Sequence, residues 1–179
     1  MIKYGNLNDS PLGVLWIAVS ASGLNAVKIG GDGPAFARSL VDDAADAASV
    51  KFDNDFVSPI VDQLQEYFDG QRRRFEMEID WGQLTAFQEA ALRLTFEIPF
   101  GEVRTYGQVA TEIGRSPAAA RAVGRAMATN PVPIIIPCHR VVGANGDLTG
   151  YGGLGGIETK AWLLEFEGHQ AARQMKLPW

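Results

Sequence analysis

Two apolar segments near the start of the chain are separated by a short polar turn. Residues 12 to 19 and 24 to 29 are mainly apolar, and Ser20-Ala21-Ser22-Gly23 lies between them. Apolar runs of this length around a small polar turn are typical of paired strands. The pattern therefore predicts a β-hairpin.

The next fifty residues add helical and alternating patterns. Residues 41 to 55, rich in Ala and Asp, have no strong period and predict a helix end followed by a loop. Ser58-Pro59 opens a helical pattern that ends at Gly70, because proline favours the first turn of a helix. Residues 72 to 79 alternate as a half-buried strand does. The first 82 residues are thus predicted to form a small α/β domain.

The second half of the chain, residues 83 to 179, is predicted to be mainly helical. Thr85-Ala86-Phe87-Gln88 and Thr105-Tyr106-Gly107-Gln108 each fit a capping box, and Ser116-Pro117 places a cap before a first-turn proline. Side chains of this kind accept hydrogen bonds from the exposed N–H groups of a helix start. Three helix starts are therefore expected.

The second and third of these helices have the spacing of a helix-turn-helix. They are expected at about residues 105 to 113 and 117 to 128. Arg121 and Arg125, four residues apart, share one face of the second helix, and small residues around them permit close approach to a groove. The candidate DNA-contacting residues are Tyr106, Ser116, Ala120, Arg121 and Arg125.

The composition is that of a folded globular protein. The chain has 179 residues, of which 46% are hydrophobic and 21% charged, so disorder, collagen and coiled coil are excluded. Apolar runs stay well short of the roughly 20 residues that span a membrane, and the N-terminus lacks the pattern of a secretory signal. We expect a cytoplasmic protein without a membrane contact.

Charge is distributed unevenly along the chain. The formal net charge is −5, but residues 101 to 146 contain five arginines against two glutamates. A local basic face matters more for phosphate binding than the total charge. A nucleic-acid partner therefore remains compatible with the composition.

Cys138 is the single cysteine, and His139 and His169 are the two histidines. This count excludes an internal disulfide and any metal site built from several Cys and His ligands. Cys138 lies in a segment with three prolines, residues 130 to 142. A buried cysteine is often only a small hydrophobe, but a neighbouring base can make it a nucleophile. His139 could reach its thiol only if the chain turns there or a water intervenes.

Several runs in this half of the chain resemble one known family. They are Asn130-Pro131-Val132-Pro133, Pro137-Cys138-His139-Arg140-Val141-Val142, Gly143-Ala144-Asn145-Gly146, Leu148-Thr149-Gly150-Tyr151, Trp162-Leu163-Leu164 and Glu167-Gly168. Together with the helix-turn-helix they closely resemble the O6-alkylguanine-DNA alkyltransferases. The resemblance is strong from Phe87 to Gly168 and weak over residues 1 to 80.

The resemblance implies roles for the residues around the cysteine. Cys138 would accept the alkyl group irreversibly, and His139 would take the thiol proton through a water. Glu167 would orient the imidazole, as the acid of a nucleophile-base-acid triad does. Asn130 would brace the active-site turn.

The resemblance also implies base flipping through the minor groove, because the reacting atom lies inside the base stack. Arg121 would fill the gap in the stack, Tyr106 would donate to the guanine ring, and Lys160 would assist the leaving base. The residues that would line the base pocket are Val141, Tyr151, Gly152 and Gly153.

For the whole protein, the resemblance implies a ribonuclease H-like α/β domain at residues 1 to 82 and a helical DNA-binding and transferase domain at residues 83 to 179. The expected partner is double-stranded DNA that contains O6-alkylguanine. We expect a monomer without a cofactor. We also expect no metal, since no Cys or His precedes residue 138.

Three other interpretations compete with this one. A helix-turn-helix regulator or a non-catalytic lesion-binding protein would also use the basic segment. A cysteine hydrolase would need an oxyanion hole, which the sequence does not locate. Residues 150 to 155 have the glycine spacing of a dinucleotide-binding loop but follow no clear strand.

Overall fold

The computed structural model of the chain describes residues 1–42, 49–149, 151, 152 and 155–169. The chain divides into two compact units, one spanning Met1–Gln83 and the other beginning at Leu84. No helix in the described ranges is long and apolar enough to cross a membrane.

The first unit is a four-stranded sheet with two helices. The strands are β1 (Ile2–Ser10), β2 (Gly13–Ser20), β3 (Gly23–Ile29) and β4 (Val50–Phe52), and the helices are α1 (Gly33–Asp42) and α2 (Asn54–Phe68). The sheet order is β3-β2-β1-β4, antiparallel except for the parallel pair of β4 with β1. Phe36 and Leu40 of α1 pack against Ala18 on one face, and α2 packs against β1 and β2.

The predicted hairpin is confirmed as β2 and β3. The sequence analysis assigned no strand to residues 2 to 10, which form β1 in the middle of the sheet. Polar residues such as Asn6 and Asn8 interrupt the apolar pattern there. β1 is stabilised by pairing with β2 on one side and with β4 on the other, which a local pattern does not reveal.

The start of α2 was predicted wrongly. The helix begins at Asn54, and the Asp53 side chain caps it by accepting the Phe56 N–H at 3.0 Å. Pro59 lies inside the helix, where it cannot donate to the carbonyl of Asp55. The Ser58 hydroxyl donates to that carbonyl instead, at 2.9 Å. Serine and proline thus occupy the second turn of the helix, not its start.

Two further predictions in this unit need correction. Residues 50 to 52 are strand β4 and not loop, whereas residues 43 to 48 lie outside the described part. Residues 72 to 79 form no strand beyond one bridge between Ile79 and Leu24. The Gln63 side chain hydrogen-bonds both the N–H and the carbonyl of Glu76, at 2.8 and 2.9 Å, and so replaces a partner strand. The helix end before Gly70 is confirmed.

The second unit is mainly helical, as expected. Its α-helices are α3 (Ala86–Phe96), α4 (Tyr106–Glu112), α5 (Ala120–Ala128) and α6 (Gly156–Phe166), and its short strands are β5 (Arg104–Thr105) and β6 (Val141–Val142). Single 3₁₀ turns cover Pro117–Ala119 and Cys138–Arg140. Both predicted capping boxes and the Ser116 cap are confirmed. Helices α4 and α5 form the expected helix-turn-helix.

The sequence analysis did not find the parallel pair of β5 and β6. Arg104 pairs with Val141 and Thr105 with Val142. Because Thr105 caps α4, this pair holds the start of α4 beside the turn that contains Cys138.

We predict that Thr105→Ala lowers the free energy of unfolding by about 1 kcal/mol, because the N–H of Gln108 loses its capping acceptor. Thr111→Ala is the matched control. Thr111 lies inside α4, where its hydroxyl donates to the Gly107 carbonyl and provides no cap. Urea denaturation of both variants would measure the difference, and equal losses would contradict the prediction.

Candidate active site

The segment before Cys138 is held in one conformation by the Asn130 side chain. Its Nδ2 donates to the Ile136 carbonyl at 2.9 Å, and its Oδ1 accepts the Val132 N–H at 3.0 Å. Between these two residues, buried Ile134 has a φ of 74°, a conformation that costs a branched side chain about 1–3 kcal/mol. The hydrogen bonds and packing of residues 130 to 136 therefore fix the backbone conformation that leads to Cys138.

Cys138 opens a 3₁₀ turn and is only 3% exposed. Burial raises the pKa of its thiol, although the Asn130 amide and the charge of Lys160 act in the opposite direction. The resting group is thus a neutral thiol at pH 7, and a base must remove its proton before it can act as a nucleophile.

His139 follows in the same turn, fully buried, with its Nε2 2.9 Å from Oε1 of Glu167. Within the described part of the chain, its Nδ1 is buried without a hydrogen-bond partner. Burial, together with the charges of Arg140 and Lys160, lowers the pKa of His139 although the carboxylate of Glu167 acts to raise it. The imidazole is therefore neutral at pH 7 and able to accept a proton.

Arg140 completes the turn and pairs with Glu167. Its Nε and Nη2 donate to the two carboxylate oxygens at 2.8 and 2.7 Å. Burial alone would raise the pKa of Glu167, but the contacts with His139 and Arg140 hold it well below its usual range. Arg140 is one of the five arginines of the basic segment at residues 101 to 146, but its side chain is buried and adds nothing to an exposed basic face. An arginine inside an apolar run is a signal for such a pair.

Lys160 joins α6 to the start of α4 and to β6. Its Nζ donates to the Tyr106 hydroxyl at 3.1 Å, to the Val141 carbonyl at 2.6 Å and to the Thr149 carbonyl at 2.9 Å. The Tyr106 hydroxyl in turn donates to the Thr149 carbonyl at 2.6 Å. Burial lowers the pKa of Lys160 to about 8 and raises that of Tyr106.

A groove of about 700 Å³ lies along α5 beside Tyr106. Its lining residues are Tyr106, Ala120, Arg121, Gly124, Arg125, Ala128 and Thr149. Arg121 and Arg125 are exposed, as is Arg115 in the helix-turn-helix turn, whereas Arg104 lies 3.5 to 3.6 Å from Glu102 and Glu112. The exposed basic face is thus smaller than the sequence count indicated.

The other candidate residues have different positions. Ser116 caps the 3₁₀ turn and is absent from the groove lining. The hydroxyl of Tyr151 is buried without a hydrogen-bond partner in the described ranges, and burial raises its pKa. Gly152 lies so close to the Ala128 carbonyl that a Cβ would overlap it. Gly153 lies outside the described residues. Among those described, no group of three or more Cys, His, Asp or Glu could hold a metal.

We predict that Glu167→Gln lowers the free energy of unfolding at pH 7 by about 3–5 kcal/mol, because Arg140 is left buried without a charged partner. The folded pKa of Glu167 lies below the ordinary value of 4.5, so its contribution is complete above that pH and declines as the pH falls. The loss should therefore shrink in acid. Denaturation from pH 7 to pH 3 would measure it.

Glu89→Gln is the control for this measurement, since it breaks the exposed pair with Arg93 on α3. We expect a change of at most about 0.5 kcal/mol, with little pH dependence. Equal losses in the two variants would show that the buried pair contributes nothing particular.

Comparison with known proteins agrees with this geometry. The family model described as 6-O-methylguanine DNA methyltransferase, DNA binding domain, matches residues 86–169, and that of the ribonuclease-like domain of the same protein matches residues 2–81. Methylated-DNA–protein-cysteine methyltransferase of Mycobacterium tuberculosis is 40% identical over 179 residues, 99% of each chain. The inducible methylated-DNA–protein-cysteine methyltransferase of Bacillus subtilis is 41% identical over 126 residues, 70% of this chain and 68% of that one.

Solved structures resemble the chain as well. Mycobacterium tuberculosis OGT in complex with DNA has a TM-score of 0.77 and 40% identity, over 92% of both chains. O6-methylguanine-DNA methyltransferase from Pyrococcus kodakaraensis has a TM-score of 0.59 and 28% identity, over 94% of this chain and 99% of the other. With family models that match nearly its whole length, the chain belongs to the 6-O-methylguanine DNA methyltransferase family.

Proposed function

We propose that the protein repairs DNA by taking the alkyl group from O6-alkylguanine, and from O4-alkylthymine, onto Cys138. The transfer is irreversible and uses each molecule once. The observation that carries the proposal is the buried turn in which Cys138 is followed by a neutral His139 with a free Nδ1 and an ionised Glu167 behind it. Membership of the family supports the same reaction.

The first step is removal of the thiol proton. Because burial keeps the Cys138 thiol neutral, the proton passes to His139 through one water molecule, and Nδ1 is the ring atom that has no hydrogen-bond partner among the described residues. The charge of Glu167 stabilises the imidazolium that forms. The sulfur then attacks the alkyl carbon, and the carbon–O6 bond breaks with its electron pair left on guanine.

The departing guanine must then gain a proton. All three N–H groups of Lys160 are donated inside the protein, so Lys160 does not reach the base directly. We infer that Tyr106 gives its hydroxyl proton to the base and takes one from Lys160, whose pKa of about 8 makes it the better acid. The products are S-alkylcysteine, neutral guanine, a protonated His139 and a neutral Lys160.

The groove along α5 supports binding of double-stranded DNA. Arg121 and Arg125 give its rim a positive charge that attracts phosphates, and Ala120 and Gly124 let the helix approach closely. Tyr106 belongs both to the groove and to the cluster around Cys138, so a nucleotide turned out of the duplex beside Arg121 would enter at the reacting thiol.

The remaining parts of the proposal concern the pocket and the setting. Val141, Tyr151 and Gly152 form the wall around the base, and Tyr151 has a buried hydroxyl with which to meet it. Gly153, which the resemblance assigns to the same wall, lies outside the described residues. The protein acts as a monomer, since one groove and one thiol complete the reaction. It acts in the cytoplasm, where a single thiol stays reduced.

We predict that mixing the protein with a duplex containing one O6-methylguanine adds a single methyl group, about 14 Da, to Cys138, because the thiolate is the only strong nucleophile of the turn. Intact-protein mass followed by peptide mapping would measure this. Cys138→Ser is the control and should gain no mass while its DNA affinity stays within a few-fold. Retained binding without any mass gain in the wild type would favour a non-catalytic lesion-binding protein, and repeated turnover would favour a hydrolase.

We predict that Arg121→Ala slows transfer from duplex DNA by about tenfold or more, because the side chain offsets an unstacking cost of a few kcal/mol. Transfer from a free O6-alkylguanine base, which needs no flipping, should be unchanged. Arg115→Ala is the matched control, since it removes the same charge from the helix-turn-helix outside the groove. Equal slowing of both variants would reduce the role of Arg121 to general charge attraction.

A further inference from the structure

Four donor groups converge on the carboxylate of Glu167. His139 Nε2 lies 2.9 Å from Oε1, and Arg140 donates Nη2 to Oε1 at 2.7 Å and Nε to Oε2 at 2.8 Å. The fourth is the backbone N–H of Gly101, 3.2 Å from Oε2. Glu167 is only 5% exposed, so these groups replace water around it.

Three of these donors come from two residues that the reaction itself does not use, Arg140 and Gly101. Gly101 lies in the loop between α3 and β5 with a φ of 79°, and a Cβ there would be 3.0 Å from the Glu167 carbonyl oxygen. Glycine therefore permits the loop to reach the carboxylate. Arg140 is fixed to the same loop, because its Nη1 donates to the Ile98 carbonyl at 2.5 Å and its guanidinium lies 5.9 Å from the centre of the Phe100 ring.

We propose that Arg140, together with the Gly101 N–H, is a positioning residue that keeps the proton of His139 on Nε2 and so leaves Nδ1 as its proton-accepting atom. The inference rests on the proposed function, in which His139 takes the proton of the Cys138 thiol. It assigns a task to a side chain that touches neither the thiol nor the substrate.

The hydrogen-bonding capacity of the groups around Glu167 determines where the proton of His139 lies. An arginine side chain and a backbone N–H are donors only, and arginine does not lose its proton in proteins. A proton on Oε2 of Glu167 would face only donors, and a proton on Oε1 would lie beside the positive charge of the Arg140 guanidinium, so the carboxyl stays ionised. An ionised carboxylate only accepts, and the ring nitrogen that faces it must then carry a hydrogen. Neutral His139 has one such hydrogen, which leaves Nδ1 bare.

Arg140 also balances the charge around the imidazole. The charged or titratable groups that face His139 are Glu167, Arg140, Lys160 and the Cys138 thiol. Arg140 and Lys160 lower the pKa of His139, and Glu167 raises it. Without the charge of Arg140, the pair of Glu167 and His139 would take up a proton at higher pH, and less of the base would be available near neutrality.

The first test is the tautomer of His139 in the unreacted protein, measured by two-dimensional ¹H–¹⁵N NMR of the imidazole nitrogens. His169 is the only other histidine and serves as an internal reference. We expect hydrogen on Nε2 in the wild type and in Arg140→Lys, and a mixture with the Nδ1–H form in Arg140→Gln. Hydrogen on Nδ1 in the wild type would overturn the inference without any variant.

The second test is the pH dependence of alkyl transfer to Cys138 from O6-methylguanine in duplex DNA. For Arg140→Gln we expect the acid limb of the rate profile to move up by about one pH unit or more, because removing a nearby positive charge makes protonation of the Glu167–His139 pair easier. Arg140→Lys keeps the charge, so its limb should stay in place while the rate falls. Arg93→Gln, which breaks the exposed pair with Glu89, should match the wild type.

The outcomes distinguish a failure of the proposed function from a failure of the positioning role of Arg140. A wild type that accepts no alkyl group would disprove the proposed function, and the NMR measurement would still decide the tautomer. If the wild type reacts, and Arg140→Gln changes neither the acid limb of the rate profile nor the tautomer of His139, the inference is overturned. Arg140 would then contribute only to packing. If Arg140→Gln does not fold, a shifted limb or an Nδ1–H tautomer in Arg140→Lys would overturn it equally.

Discussion

The buried charge of Glu167 is the constraint on which the active site depends. A carboxylate removed from water is costly unless charged groups and hydrogen bonds surround it, and here they come from two segments that are distant from Glu167 in the sequence. The end of α6, the turn of Cys138 and the loop before β5 must therefore close together. The same arrangement that satisfies the charge orients His139, so stability and chemistry share one set of contacts.

A second cluster connects the turn of Cys138 to the groove along α5. Lys160 holds the start of α4, β6 and the Thr149 loop at one point, and Tyr106 belongs to both this cluster and the groove. The nucleophile is thus buried and neutral at rest, while the surface beside it is open and positive. Burial thus keeps the thiol in its neutral, less reactive form at rest.

Elements stabilised by contacts between residues close in sequence were predicted correctly, whereas elements stabilised by distant residues were not. The caps at Thr85, Thr105 and Ser116 were predicted correctly, since each cap involves residues only two or three apart. β1 and the β5–β6 pair were missed because their partners are distant in sequence. Residues 72 to 79 have the burial alternation of a strand, but the Gln63 side chain takes the place of a strand partner.

For the candidate site, the sequence alone identified the adjacent Cys138 and His139 and the two groove arginines, because Cys138 is the single cysteine and Arg121 and Arg125 share a helix face by spacing. The tertiary structure decided which charged side chains are exposed and which are buried in ion pairs. In the sequence, Arg140 is not distinguished from the other arginines of its segment. In the structure it is buried and hydrogen-bonded to Glu167, 27 residues away. Only the closing of the fold brings such groups together, since in a buried site the partner of a charge is set by packing and not by its neighbours along the chain.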